Sequence, residues 1–210
     1  MEEACHPDVF WLKRTASQSY DKINRRSQMA QYPSDRQLIA MLGNPAEKSK
    51  AFEQMVGKYS SRLYWQIRCV VTFHDDADDV LQNTFIKAWN AIDSFRGDSM
   101  LSTWLYRIAA NESLAFLRHR AETVSLDSVD ANLENMFESD AYFDGDEIQK
   151  NLQRAIQTLP PKQRQVFALR YYDNMKYEDM AEVLNTSVGA LKASYHIAVK
   201  KIEDFFEGAD

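Results

Sequence analysis

YEDMAEVLNTSVGALKASYHIAVKKIEDFF, residues 177–206, carries the clearest pattern in the chain. Its first part predicts a short helix over residues 177–184, whose inward face is apolar: Met180, Ala181 and Leu184. The next three residues, beginning with Asn185, predict a tight turn, because asparagine tolerates the left-handed backbone that such a turn often needs. Ser187 is a candidate N-cap for the helix that follows. The stretch therefore predicts a helix-turn-helix.

The second helix of this pair has an apolar stripe at spacings of three and four residues: Val188, Leu191, Tyr195, Ala198, Ile202 and Phe205. Its opposite face has small or hydrogen-bonding residues first and cations later: Gly189, Lys192, Ala193, His196 and Lys200. A recognition helix in a major groove has this order, because early residues meet base edges and later cations meet phosphates. A helical hairpin with a solvated basic face would show the same pattern, so both interpretations stay open at this point.

Residues 35–120 predict a second helical domain, upstream of the first. One helix face is marked by Phe52, Val56, Tyr59, Leu63 and Ile67. Another helix is predicted to begin near Asp75, because four acids lie in its first turn, where the helix dipole favours negative charge. Its predicted buried side is Val80, Leu81, Phe85, Ala88 and Ile92. After a loop at residues 95–98, a third helix is predicted from about Leu101 to His119.

Residues 121–148 separate the two domains and contain nine acids but no lysine or arginine. They have few apolar residues and no helical period, so they cannot bury enough surface to hold one conformation. Residues 149–207 return to helical periodicity, and the prolines at 160 and 161 mark one helix end and the next start. The predicted fold class is all-α: two small helical domains joined by an acidic flexible linker, with residues 1–34 a poorly ordered extension in which Met29 could be the true start.

Composition excludes several classes of protein. The 210-residue chain has no run of eighteen apolar residues and no secretion signal, so we expect no membrane insertion. Two cysteines make no disulfide framework, which fits a reducing, cytoplasmic location. Cys5 and His6 lack a second pair at zinc-site spacing, so we expect no metal and no cofactor. The net charge is −6, but without the nine linker acids the remainder would carry +3, which suits a nucleic-acid partner.

Several motifs resemble those of one protein family. DDVLQNTFIKAW at 78–89, FRGD at 95–98 and TWLYRIAAN at 103–111 resemble region 2 of bacterial sigma factors, in particular the small extracytoplasmic-function group. LPPKQRQVF at 159–167 and SVGALK at 187–192 resemble region 4 of the same group. The resemblance covers about residues 35–120 and 149–205, and it implies a dissociable subunit of RNA polymerase. Such a subunit is not an enzyme, and we expect no catalytic residue.

The resemblance implies three sets of contacts. A clamp of the largest catalytic subunit of core RNA polymerase would meet Asp78, Asp79, Gln82 and Phe85, and the flap of the second-largest subunit is a further expected contact. The melted minus-10 element, as single-stranded promoter DNA, would meet Phe95, Arg96, Gly97, Asp98, Ser99, Thr103, Trp104, Arg107 and Asn111. The duplex minus-35 element would meet Arg164, Ser187, Gly189, Lys192, Ala193, His196 and Lys200. An anti-sigma protein is also expected by resemblance.

Physical arguments support each set of contacts, but the same residues also have a simpler structural explanation. The acids could simply stabilise a helix start, and the loop at 95–99 could be an ordinary turn with glycine at its bend. Thr103, Arg107 and Asn111 recur every four residues, so they share a face that could bind a strand or merely be solvated. Trp104 borders this face and could stack on a base or belong to the core.

Two features fall outside the family pattern. Ser194 stands where the family often has arginine, the commonest reader of guanine, so base specificity rests more on Lys192, polar contacts and DNA shape. The acidic linker would be repelled by DNA but attracted into a basic polymerase channel; a soluble spacer is an equal alternative.

Two other classes of protein compete with this interpretation. A free-standing helix-turn-helix regulator would bind an operator without polymerase, usually as a dimer on a two-fold site, but the chain shows no evident dimerisation helix. A helical enzyme is the second competing class. The sequence shows no nucleophile–base pair, phosphate loop or metal-ligand spacing that would support it.

Overall fold

The computed structural model describes residues 31–95, 97, 99–123 and 147–208, with backbone alone at 122, 123 and 147–149. The described residues form eight α-helices and no strand: α1, Asp35–Leu42; α2, Lys48–Val70; α3, His74–Ala91; α4, Leu101–Thr123; α5, Glu147–Gln157; α6, Pro161–Tyr171; α7, Tyr177–Leu184; α8, Val188–Glu207. A 3₁₀ turn, Ile92–Ser94, follows α3. Residues 1–30 of the predicted N-terminal extension, most of the acidic linker, Arg96 and Asp98 lie outside the described residues.

The first four helices form the upstream domain that the sequence predicts. Helix α1 begins with a capping box, in which the Ser34 hydroxyl accepts from the Gln37 backbone and the Gln37 side chain accepts from the Ser34 backbone. The core lies where α2, α3 and α4 pack on one another, and its central residues are fully buried: Leu63, Ile67, Ala77, Ala88, Leu101 and Leu105. Leu63 and Ile67 of the predicted α2 face and Ala88 of the predicted α3 face are confirmed as buried.

The last four helices contain the helix-turn-helix. Helix α7 spans the predicted residues 177–184, and Asn185 adopts the left-handed conformation with φ of 49°. The Ser187 hydroxyl then accepts from the Ala190 backbone at 3.3 Å and caps α8, as predicted. Helices α5, α6 and α8 enclose a cluster of their own: Leu152, Ala155, Ile156, Leu159, Phe167, Ala198, Val199 and Ile202.

The two domains share buried surface, which helical periodicity does not predict. Helix α7 packs on α4, and α6 packs on α2. Val166, Leu169 and Leu191 therefore lie in the same buried cluster as the residues of the upstream domain. Periodicity shows which face of a helix is apolar, but not whether that face serves one domain or two.

The predicted linker bounds are too wide at both ends. Helix α4 continues to Thr123, three residues beyond the predicted domain end, and α5 begins at Glu147, two residues before the predicted start. In the part of the chain that the structure describes, no helix is both long enough and apolar enough to cross a membrane.

Replacement of Ile202 tests the role of the second cluster in stability. Ile202 is fully buried, so Ile202→Ala should lower the free energy of unfolding by about 2–5 kcal/mol through lost burial and the remaining cavity. Ile197 is 45% exposed on the same helix, and Ile197→Ala should change stability by less than about 0.5 kcal/mol. Urea unfolding followed by circular dichroism measures both; equal losses would contradict the described packing.

Candidate nucleic-acid interface

An acidic face is exposed near the start of α3. Asp78, Asp79 and Gln82 are all exposed, and Asp78 and Gln82 lie one helical turn apart. The His74 Nε2 atom lies 3.6 Å from the Asp78 carboxylate, and its Nδ1 atom meets the Tyr64 hydroxyl at 2.5 Å. Asp79 and Gln82 form no side-chain bond with another described residue. A basic partner can therefore bind at this face.

The apolar part of this face differs from the prediction. Phe85 is only 9% exposed and packs edge-on against Phe52, so it belongs to the core and not to a docking surface. Ile86 and Trp89 are instead 50% and 38% exposed on the same helix. The sequence held a signal for them, because Ile86 follows Gln82 by four residues and Trp89 follows Ile86 by three.

Trp89 is held in place by its neighbours. Its ring contacts Phe52 at a centroid distance of 4.9 Å, and the Lys48 Nζ atom lies 5.0 Å from the ring centroid. Lys48 also pairs with Asp93 at 2.7 Å. We call Asp78, Asp79, Gln82, Ile86 and Trp89 the α3 face.

The loop before α4 contains a glycine with free space around it, next to a packed pair of aromatic rings. Gly97 has φ of +77°, which favours glycine, and nothing lies within 4 Å of the position where a Cβ would stand. Phe95 packs on Trp104 with ring centroids 5.1 Å apart. Trp104 is 8% exposed and lies in the shared cluster, which favours the core over the stacking interpretation. Ser99 is half-buried, and Arg96 and Asp98 are outside the described residues.

The predicted polar face of α4, which consists of Thr103, Arg107 and Asn111, is only partly exposed. Thr103 is 2% exposed, which corrects the expectation that all three residues face solvent. Arg107 and Asn111 are exposed, and neither side chain bonds to another described residue. Arg118 is also exposed farther along α4. Four-residue spacing predicts a common direction, but the crowded N-terminal end of α4 buries the first member.

The face of α8 opposite its apolar stripe is exposed, as the sequence predicts. The exposed residues are Ser187, Gly189, Lys192, Ala193, His196 and Lys200. Nothing lies within 4 Å of a Cβ built on Gly189, so a base edge or sugar could approach the backbone closely there. The Lys192 Nζ atom lies 5.5 Å from the Tyr177 ring centroid, a contact that positions the cation beside the turn.

Arg164 is not on this exposed face. Its Nε donates to the Leu159 carbonyl at 2.7 Å, one Nη donates to the Gln157 carbonyl at 2.6 Å, and the other donates to the Val70 carbonyl at 3.1 Å. Burial lowers the pKa of the guanidinium to about 10, so it stays charged at neutral pH. The residue predicted to contact phosphate therefore stabilises carbonyls inside the structure.

The described residues show no grouping of three or more histidine, cysteine or acidic side chains that could hold a metal ion.

The chain matches two family models, one in each domain. Residues 55–123 match Sigma-70 region 2, and residues 149–202 match Sigma-70, region 4. RNA polymerase sigma-H factor of Pseudomonas aeruginosa is 34% identical over 73% of this chain and 85% of its own length. ECF RNA polymerase sigma-E factor of Escherichia coli K12 is 32% identical over 74% of this chain and 86% of its own length.

Solved structures share the fold. CnrH in complex with the cytosolic domain of CnrY has a TM-score of 0.64 at 24% identity, covering 84% of this chain and 99% of its own. The sigma factor RpoE of Bartonella quintana, in complex with the anti-sigma factor NepR, has a TM-score of 0.60 at 23% identity, covering 75% of this chain and 98% of its own.

A free-standing helix-turn-helix regulator would account for the match to region 4 but not for the match to region 2. Sigma factors are not enzymes, which agrees with the expectation from the sequence. The chain belongs to the extracytoplasmic-function group of the sigma-70 family of RNA polymerase sigma factors.

Proposed function

We propose that this sigma factor divides promoter recognition between three surfaces, each with a separate partner. The α3 face docks on the clamp of the largest subunit of core RNA polymerase. Arg107 and Asn111 on α4, together with the loop at 95–99, hold the melted minus-10 strand. The exposed face of α8 reads the minus-35 duplex. The observation that supports this division is that the three surfaces are exposed on different helices.

Each surface has the chemistry of its proposed partner. The α3 face combines acids with an exposed indole, which suits polymerase arginines around an apolar contact. Arginine and asparagine on α4 offer hydrogen bonds to phosphates and unpaired base edges. Helix α8 begins with small residues, which allow close approach to bases, and continues with cations for phosphates.

One further partner is suggested by the relatives. The sigma factor RpoE of Bartonella quintana is bound by an anti-sigma factor, and we propose that a protein of this class restrains the present chain. We place this chain in the cytoplasm, where polymerase and promoter DNA are present.

Transcription with core polymerase tests the proposed function as a whole. Promoter-specific transcripts should appear only when the chain is added, whereas the chain alone should bind duplex promoter weakly. Tight operator binding without polymerase, or no transcript with it, would contradict the proposal.

Asp79→Asn tests the α3 face. Loss of a charge-assisted bond should weaken binding to core polymerase by about tenfold or more, measured by fluorescence titration of labelled chain. Glu53→Gln removes an exposed acid on α2, outside the α3 face, and should leave the affinity unchanged. Equal effects of the two variants would show that general charge, not this face, governs docking.

Arg107→Ala combined with Asn111→Ala tests strand capture. The double variant should bind core polymerase normally but reduce the melted fraction of promoter by about tenfold or more, because contacts to the unpaired strand are lost. Permanganate reactivity of unpaired thymines measures melting. Arg36→Ala removes an exposed arginine on α1 and should melt promoter as wild type does; normal melting by the double variant would refute the assignment.

Lys192→Ala tests upstream recognition. If Lys192 reads a base, the variant should lose about 1–3 kcal/mol of preference for the minus-35 sequence. Competition between matched and scrambled minus-35 duplexes for the holoenzyme measures this preference. Lys201 lies on the other side of α8, near Gln163, and Lys201→Ala should keep it. A uniform loss on both duplexes would instead indicate a phosphate contact.

A further inference from the structure

Helix α8 carries a large apolar side chain outside its core face. Ile197 is 45% exposed, although Leu191, Ala198 and Ile202 on the same helix are buried. It belongs neither to the apolar stripe nor to the DNA-facing set that the sequence predicts for this helix. A single exposed isoleucine is ordinary on a protein surface, so its neighbours decide what it can do.

Those neighbours are small and apolar. Ala190 and Ala193 are exposed and precede Ile197 by seven and four residues, so the three side chains lie along one side of α8. We call them the methyl row. Lys192 and His196 are exposed one turn apart and form a polar row. Because successive residues turn by about 100°, the two rows lie side by side on one exposed face.

The methyl row has a limited choice of contacts. The side chains of alanine and isoleucine contain only carbon and hydrogen, so they cannot bond to the polar edge of a base or to a phosphate. In the major groove, thymine is the base that presents a methyl group, at its C5 position, and apolar side chains contact it favourably. A row of alanine and isoleucine on a groove-facing helix therefore suits thymine.

The length of the methyl row also fits a duplex. Seven residues separate Ala190 from Ile197, which corresponds to roughly 10 Å along the helix axis. This distance equals roughly three base-pair steps. Lys200 is exposed one turn after His196, so a cation follows the two rows where a phosphate can lie. Several consecutive base pairs can thus face both rows of the same helix.

We propose that the methyl row reads thymine C5-methyl groups in the minus-35 duplex, with Ile197 making the largest contact. The inference rests on the proposed function, because it assumes that α8 lies in the major groove. Ile197 is then a specificity-determining residue that acts without charge or hydrogen bond, whereas Lys192 in the polar row bonds to base edges. The chain favours T·A pairs opposite the methyl row.

Uracil substitution in the promoter tests this proposal. A duplex library has a fixed minus-10 element and a randomised minus-35 segment, and it is made twice, with thymine or with uracil in that segment. Uracil pairs with adenine as thymine does and lacks only the methyl group. Core polymerase with the chain selects from each library, and sequencing gives the enrichment of each base at each position.

The wild-type chain should enrich thymine at one or more positions of the segment. At a position that Ile197 reads, this enrichment should be about fourfold lower in the uracil library, which is the effect of losing one buried methyl group. Ile197→Ala should abolish the difference between the libraries there, and Ile197→Val should keep part of it. Circular dichroism confirms that both variants fold.

Lys201→Ala is the matched control. It shortens an exposed side chain one turn beyond Ile197 and should keep the wild-type difference between the libraries. Uracil also alters the shape of the duplex, and an effect of shape alone would persist in Ile197→Ala. Such persistence would overturn the proposal, as would equal selection from both libraries by the wild-type chain.

Transcription and selection by the chain without polymerase separate this proposal from the proposed function. A chain that directs promoter-specific transcription but selects without regard to the methyl group would overturn the methyl row and leave the proposed function supported. Methyl-dependent selection by the chain alone, with no transcript when polymerase is added, would contradict the proposed function and support the methyl row.

Discussion

Helix α6 packs into two hydrophobic clusters at once, and the relative position of the two domains depends on this helix. Phe167 points into the cluster formed with α5 and α8, whereas Val166 and Leu169 enter the cluster of the upstream domain. Consecutive helical residues are separated by about 100° around the axis, so one short helix can present apolar groups to both sides. Because α6 is shared, the packing of one domain fixes the position of the other.

Much of the fold could be predicted from local chemistry. Asn185 and Ser187 determine the turn and the start of α8 through their own backbone preference and capping bond, which involve only neighbouring residues. The end of α7 at Leu184 follows for the same reason, because Asn185 adopts the left-handed conformation directly after it. Such features do not depend on what packs against them, so they can be predicted from the sequence alone.

The placement of several site residues could not be predicted, because it depends on contacts across the chain. Thr103 has the spacing of a surface contact, yet neighbouring helices bury it. Phe85 lies on the predicted buried side of its helix, and its burial removes it from the expected docking surface. Arg164 lies in a family motif, but its partner at Val70 is 94 positions away along the chain. Spacing within a helix gives a direction, and only the three-dimensional packing shows whether that direction leads to solvent.

The position of Arg164 has a consequence for sequence divergence. Its guanidinium and the Val70 carbonyl are bonded although they lie far apart along the chain, so each constrains the other. A change that shifts the carboxyl end of α2 removes an acceptor from a partly buried cation, and loss of the cation leaves the carbonyl without this donor. Related chains that replace one of these partners should therefore also differ at the other, and their two domains should diverge in step.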